Sequence, residues 1–207
     1  MDNIKIERVY KLALGHRYSL DALRLLQPMR KHSMETYQHT LRVALFSYSF
    51  GLYLRFRKDQ LELIFDAALV HDLGKLKTPD EVLHKSGKLT PIERQTMNKH
   101  VQESYSMTQD VSELEIASIL GSLHHERWDG DGYPLRLKGA EIPLIGQALA
   151  LVDTWDAMTS DRAYRKGMSV EKALRILFKE RLKGQFNPLL LDKFIAFVAD
   201  SSIVETA

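Results

Sequence analysis

The chain has 207 residues, with 29 Lys or Arg against 27 Asp or Glu, and a net charge of +2 speaks against a nucleic-acid protein, whose basic charge should be larger and clustered. It contains no cysteine, which excludes disulfides, thiolate metal sites and cysteine nucleophiles. Hydrophobic residues are 44% and charged residues 27%, the balance of a globular chain long enough to bury a substantial core.

The opening stretch, MDNIKIERVYKL, alternates charged and apolar residues and lacks the apolar core of a signal peptide. No segment approaches the ~20 consecutive apolar residues that cross a bilayer. The expectation is a cytoplasmic protein without membrane insertion. Residues 1–30 read as a short helical preface, and residues 31–207 as one all-α domain. Across 33–56, Glu35, His39, Val43, Phe46 and Phe50 fall on one helical stripe. A second apolar-rich helix is expected over 60–72, ended by Gly74. Thr90-Pro91-Ile92-Glu93 has the form of a capping box with proline at the first helical position, opening a helix to about Gln109. Ser112-Glu113-Leu114-Glu115 offers a second box, for a helix ending near His125. Three further helices are expected over 145–160, 170–183 and 188–199, with Gly184 as a stop and Asn187-Pro188 as a start. Two stretches break the pattern, 77–89 and 129–143; the second carries the turn signal DGDGYP.

Five of the eight histidines form one constellation: His39, His71, His100, His124 and His125. Asp72 directly follows His71, Asp153 lies further on, and Glu35 precedes His39 by one helical turn. That set is too large for one ion and suggests two or three. Each member continues an apolar face: Glu35 with His39, His71 after Ala67 and Ala68, His124 after Ala117 and Leu120, Asp153 after Leu149 and Ala150. Inward-pointing charges are expensive unless partnered, and a metal cluster removes that cost. Imidazole and carboxylate donors suit iron, manganese or zinc, and a carboxylate-rich site for several ions leans toward iron or manganese. Neighbouring residues in a helix diverge by about 100°, so the pairs 71–72 and 124–125 rarely grip one ion well unless they sit at helix ends. Asp72 has two oxygens and can bridge two ions that share a hydroxide, the arrangement used to hydrolyse phosphate esters.

His71-Asp72-Leu73-Gly74-Lys75 resembles the HDxGK motif of the HD phosphohydrolases, and His124 to Pro134 resembles the HHExxDGxGYP motif of their HD-GYP subfamily. The resemblance continues through Ile142-Pro143 and from Asp153 to Arg162, and covers roughly residues 33 to 200. It implies a single HD-type helical bundle with an extended GYP loop. It also implies a bacterial phosphodiesterase with two or three divalent ions, iron or manganese, that linearises cyclic di-GMP to pGpG and often continues to GMP. Carried over by position, His39, His71, Asp72 and Asp153 hold one ion. His100, His124 and His125 hold the second with Asp72 bridging, and Glu35 matches a third-metal ligand. Lys75 faces the phosphate, while Tyr133, Arg162 and Arg165 match positions that contact the nucleotide. Asp156, one turn beyond Asp153, is a candidate proton donor or orienting group. Two departures stand out: Arg136 where glycine is common, and Val101 where proline is frequent.

Other readings stay open at this level. One is a non-catalytic effector that binds a cyclic dinucleotide or a partner protein; another is a phosphodiesterase for a different cyclic dinucleotide. The family has been linked to partner binding through the GYP segment, so a protein partner and an oligomer also stay open. His16, His32 and His84 read as surface or loop residues, Trp128 and Trp155 as packing, and Arg55-Phe56-Arg57-Lys58 as a solvated helix end.

Overall fold

The computed structural model describes residues 3–16, 19–161 and 165–200. The fold is all-α. In chain order its helices are α1 (Asn3–Gly15), α2 (Ser19–Leu26), α3 (Met29–His32), α4 (Met34–Tyr53), α5 (Lys58–Val70), α6 (Asp80–Leu83), α7 (Pro91–Asn98), α8 (His100–Thr108), α9 (Glu115–Gly121), α10 (Leu144–Thr159), α11 (Val170–Glu180) and α12 (Pro188–Ala199). Among the described residues no helix is long and apolar enough to cross a membrane.

The central pair is α4 against α5, flanked by α2 and α9 on α5 and by α10 on α4. Ser33 opens α4 by accepting the Thr36 amide at 3.2 Å. Asn187 opens α12, and Phe194 and Phe197 carry that helix into an aromatic cluster with Phe46 and Phe50. The Phe50 and Phe194 rings meet edge to face at 5.0 Å, a geometry that adds about 0.5–1.5 kcal/mol beyond burial. Trp155 packs into the same cluster. The preface helices contribute to this core as well: Val9, Ala13, Ala22, Leu23, Leu26 and Met29 are fully buried in it. The Ser19 hydroxyl donates to the buried Asp66 carboxyl, joining α2 to α5.

Four helices stop earlier than the sequence pattern predicts: the one expected over 170–183 ends at Glu180, and three others end beside the histidines. The second ends at Val70, not Asp72, so His71 and Asp72 lie just past its C-terminus. The helix expected to run from Pro91 to about Gln109 is divided at Lys99 into α7 and α8. The helix expected to reach His125 ends at Gly121, and Ser112 does not cap it; its hydroxyl donates to Glu113 instead, within a short 3₁₀ turn. The Thr90 box forms as expected, with the Glu93 amide on Thr90 and the Thr90 amide on Glu93.

The GYP loop is held from inside. Both oxygens of buried Glu126 accept backbone amides, from Leu135 at 2.6 Å and Leu137 at 3.0 Å. A Cβ on Gly132 would lie 2.4 Å from the Arg127 nitrogen, so only glycine fits that turn. Arg136 adopts φ 56°, the left-handed region that favours glycine, which explains why glycine suits this position.

Candidate metal centre

The early ends of α5, α7 and α9 share one feature. His71 Nδ1 donates to the Ala68 carbonyl, His100 Nδ1 to that of Met97, and His124 Nδ1 to that of Gly121, each at 2.7 Å and each three residues back. An imidazole N–H thus replaces the backbone amide that would have continued the helix, and satisfies a terminal carbonyl. The same bond fixes the ring and leaves Nε2 free to face inward. His39 reaches the same state differently, with Nδ1 on Asp156 at 2.7 Å. Ser104 ties the HD turn to α8: its hydroxyl donates to the His71 carbonyl at 2.9 Å and accepts the Gly74 amide at 2.8 Å.

Asp72 sits at the meeting point, almost fully buried. Its Oδ2 faces His39 Nε2 at 3.5 Å and His71 Nε2 at 3.3 Å. Its Oδ1 faces His100 Nε2 at 3.3 Å and His124 Nε2 at 3.9 Å. Asp153 completes the first side, 3.0 Å from His39 and 3.8 Å from His71. His125 completes the second, its ring 5.2 Å from that of His100. Ligand atoms of His39, His71 and Asp153, of His100, His124 and His125, and of His71, Asp72 and His124 each lie within 4.8 Å of one another. These groups suit divalent ions on a second ground: His71 Nε2 and Asp72 Oδ1 are buried with no hydrogen-bond partner among the described residues. Orphaned polar atoms at the centre of a packed fold are costly, and coordination would satisfy both.

The two sides differ in protonation. Burial pushes every imidazole here toward neutrality. At His39 the hydrogen bonds to Asp153, Asp156 and Asp72 overcome that push and hold its pKa well above the usual range. His71 is likewise buried, but the nearby Asp72 and Asp153 carboxylates raise it to about 9. At His100 and His125 burial outweighs the nearby carboxylates and takes them down to about 4 and about 3; His124 falls well below its ordinary value for the same reason. Burial would raise Asp72 and Asp153, yet both are held well below the carboxylate range, Asp72 by Lys75, His71 and His39, Asp153 by His39 and His71.

Beside the cluster opens a cavity of about 670 Å³. Glu35, Lys75 and Tyr133 line it, together with His39, His100, His125 and Asp153 from the cluster. Lys75 Nζ is 2.6 Å from Asp72 Oδ2. The Tyr133 ring stacks on His125 with centroids 4.7 Å apart. Arg165 does not line the cavity; it is exposed and its guanidinium donates to the Ala157 carbonyl. Arg162 lies outside the described residues. Asp156 is held ionised: burial favours its neutral form, but His39 and a two-pronged grip by Arg42, at 2.7 and 2.9 Å, depress its pKa far below the ordinary value.

Sequence reasoning missed Arg42, Ser104 and Glu126. Nothing in the pattern marks Arg42, whose partner is 114 residues away; Glu126, which immediately follows the histidine pair, was the one with a visible signal. His32 is not a free surface residue, since its Nε2 lies 3.1 Å from the Lys75 carbonyl. His16 packs its ring against Tyr48 and Phe65, and His84 lines the cavity.

The HD domain family matches residues 24–190. A cyclic di-GMP phosphodiesterase from Thermotoga maritima is 35% identical over 179 residues, covering 85% of this chain and 48% of the relative. The 3'3'-cGAMP-specific phosphodiesterase 2 of Vibrio cholerae is 34% identical over 182 residues, 84% of this chain and 34% of the relative. The chain therefore spans between a third and a half of the length of these curated relatives. Among solved structures, an HDG"Y"P protein from Bdellovibrio bacteriovorus matches with a TM-score of 0.63 at 17% identity, over 78% of this chain and 51% of that one, a likeness of fold. The family match spans most of the chain, and its HD pair and GYP loop frame the ligand cluster; the protein belongs to the HD domain family, among the HD-GYP members.

Proposed function

We propose that this chain is a metal-dependent phosphodiesterase that opens the ring of cyclic di-GMP. The observation that carries the reading is Asp72, which turns one oxygen to each of two imidazole groups. On this reading His39, His71 and Asp153 hold one ion, and His100, His124 and His125 the other, with Asp72 shared. Glu35, one turn before His39 and facing the cavity, is the candidate ligand for a third. The donor set, nitrogen and oxygen without sulfur, suits iron or manganese. Such ions, when bound, polarise a phosphodiester and activate water for attack on phosphorus.

The chain's own residues would do the rest. Lys75, now paired with Asp72, has its ammonium at the cavity wall, where a phosphate would draw it into a charge-assisted contact. Tyr133, stacked on His125, gives the cavity an aromatic surface beside the cluster for a base. Asp156 orients His39 and is not the proton donor, because Arg42 keeps it ionised. The cavity volume falls in the range of sites that enclose small ligands, roughly 300–1,000 Å³. The cyclic di-GMP phosphodiesterase among the relatives supports the substrate class.

The relative named for 3'3'-cGAMP favours one second reading, a phosphodiesterase for that dinucleotide, since hydrolysis at a metal cluster does not depend on the base. The test is to purify the protein anaerobically, measure iron and manganese, and incubate it with both dinucleotides. Linear product from cyclic di-GMP is expected, and its loss in a His71→Ala, Asp72→Ala double variant. A fully metallated protein that yields no product from either dinucleotide refutes the reading. Glu35→Ala should lower bound metal by one ion per chain if three are held, and leave the count unchanged if two are.

A further inference from the structure

Two unlike groups of residues line the cavity. One is the candidate ligand cluster with Glu35; the other comes from the strap between α6 and α7 and the first turn of α7, and it is basic. Lys85, Lys88 and Arg94 all line the cavity from that side. Lys85 is already engaged, its ammonium bridging both Glu93 oxygens at 2.7 and 2.5 Å. That clamp, with the Thr90–Glu93 box, fixes the strap and the start of α7. The side chains of Lys88 and Arg94 make no ion pair or hydrogen bond with a described residue. Arg94 is close enough to Tyr133 for its charge to act on the phenol. Two exposed cations without an ion pair or hydrogen bond to a described residue thus line the same cavity as the cluster, and neither belongs to the matched motifs.

We propose that Lys88 and Arg94 form a second anion subsite, which holds the phosphate that is not being cut while the other phosphate lies at the Asp72 cluster. The inference rests on the cyclic dinucleotide reading above and deepens it. A cyclic dinucleotide carries two phosphodiester anions on opposite sides of one ring, so a site that engages only one leaves the ring free to rotate. Arg94 offers a forked grip on phosphate oxygens, and Lys88 a mobile point charge. Both read backbone, not base, so the subsite selects for two phosphates in one ring and not for guanine.

The test compares a substrate with two phosphates and one with a single phosphate. Metal-loaded Arg94→Ala and Lys88→Ala proteins are assayed with cyclic di-GMP and with bis(p-nitrophenyl) phosphate. Each substitution should raise KM for cyclic di-GMP about tenfold or more, with kcat within about twofold. Arg94→Lys should recover part of the loss, and bis(p-nitrophenyl) phosphate kinetics should not change. Unchanged KM for cyclic di-GMP in both variants overturns the subsite while leaving the substrate reading intact. Equal losses on both substrates also overturn it, since they would mean a general effect on the site. Wild-type protein that cleaves bis(p-nitrophenyl) phosphate but no cyclic dinucleotide overturns the substrate reading and the subsite with it.

Discussion

Replacing Asp156 by asparagine keeps the side chain's shape and removes its charge. The carboxylate accepts four side-chain contacts, from His39 Nδ1 at 2.7 Å, from Arg42 Nε and a terminal guanidinium nitrogen at 2.7 and 2.9 Å, and from the Ser160 hydroxyl at 2.9 Å. An amide has one acceptor oxygen, and its –NH₂ would face a donor. At least one charge-assisted bond is lost, about 1.5–3 kcal/mol, and Arg42 keeps a half-buried charge without a carboxylate. Arg42 is 24% exposed, so water offsets part of that cost and the net destabilisation should be about 2–3 kcal/mol. For a chain of this length each kcal/mol moves Tm by ~2–4 °C, so calorimetry of the metal-free protein should show a fall of about 4–12 °C. His39 would also lose the anchor that aims Nε2 at Asp72 and Asp153. Metal affinity on that side should fall about 10–100-fold, read as one ion lost per chain after dialysis against a weak chelator, with the other side retained. Wild-type Tm and metal content combined with lost turnover would refute the positioning role and make Asp156 the proton donor.

Other substitutions probe the frame of the site. In Gly74→Ala the added Cβ would lie 2.0 Å from the His100 carbonyl oxygen and 2.6 Å from the Ser104 nitrogen, main-chain atoms that cannot rotate away; a loss of about 3 kcal/mol or more in urea denaturation is expected, and a wild-type midpoint would refute it. Glu126→Ala removes the two carboxylate anchors at Leu135 and Leu137, so proteolysis within residues 129–143 should accelerate about tenfold or more while far-ultraviolet dichroism stays native; unchanged cleavage would show that the backbone bonds of Asp129, Tyr133 and Gly139 suffice to hold the loop. Arg136→Gly relieves a left-handed backbone and should raise Tm by about 2–4 °C, whereas a fall would mean that the arginine side chain outweighs its strain. Burial pushes the Asp66 carboxyl up to about 7 against the opposing Ser19 bond, so the folded chain keeps a proton that the unfolded chain has released. Stability should therefore fall as pH rises from about 4 to 7 and level off above. Asp66→Asn, always neutral, should flatten that decline in urea midpoints, and an equal slope in both proteins would refute the assignment.

The convergence of the candidate ligands was readable in the sequence because histidine and aspartate on apolar helical faces are rare without a partner, and because their motifs are specific. The helix ends beside them were not. Apolar periodicity runs on through His71 and His124, and only the structure shows an imidazole taking the carbonyl that the next backbone amide would need. Arg42 escaped for a different reason: it is an ordinary arginine on a helix, and its meaning lies in a partner on α10. Arg136 was visible as an oddity, but its cause, a backbone angle, is not written in side-chain type. Motif position singled out Tyr133, Arg162 and Arg165 for the nucleotide; Tyr133 lines the cavity, Arg165 is exposed, and Lys88 and Arg94, which the sequence did not single out, line the cavity as well.

The histidine-capped helix ends have a further consequence, carried by the backbone alone. Peptide dipoles sum along a helix to a partial charge of roughly −0.5 at its C-terminus. The C-termini of α5, α7 and α9 all stop beside the cluster, against the opposite poles of α8, which begins at His100, and of α4, whose first turn lines the adjoining cavity. Fixed negative potential is therefore aimed at the centre before any carboxylate is counted. An Asp72→Asn protein should keep a weak residual preference for cations over anions there, one that belongs to the helices and not to the side chain removed.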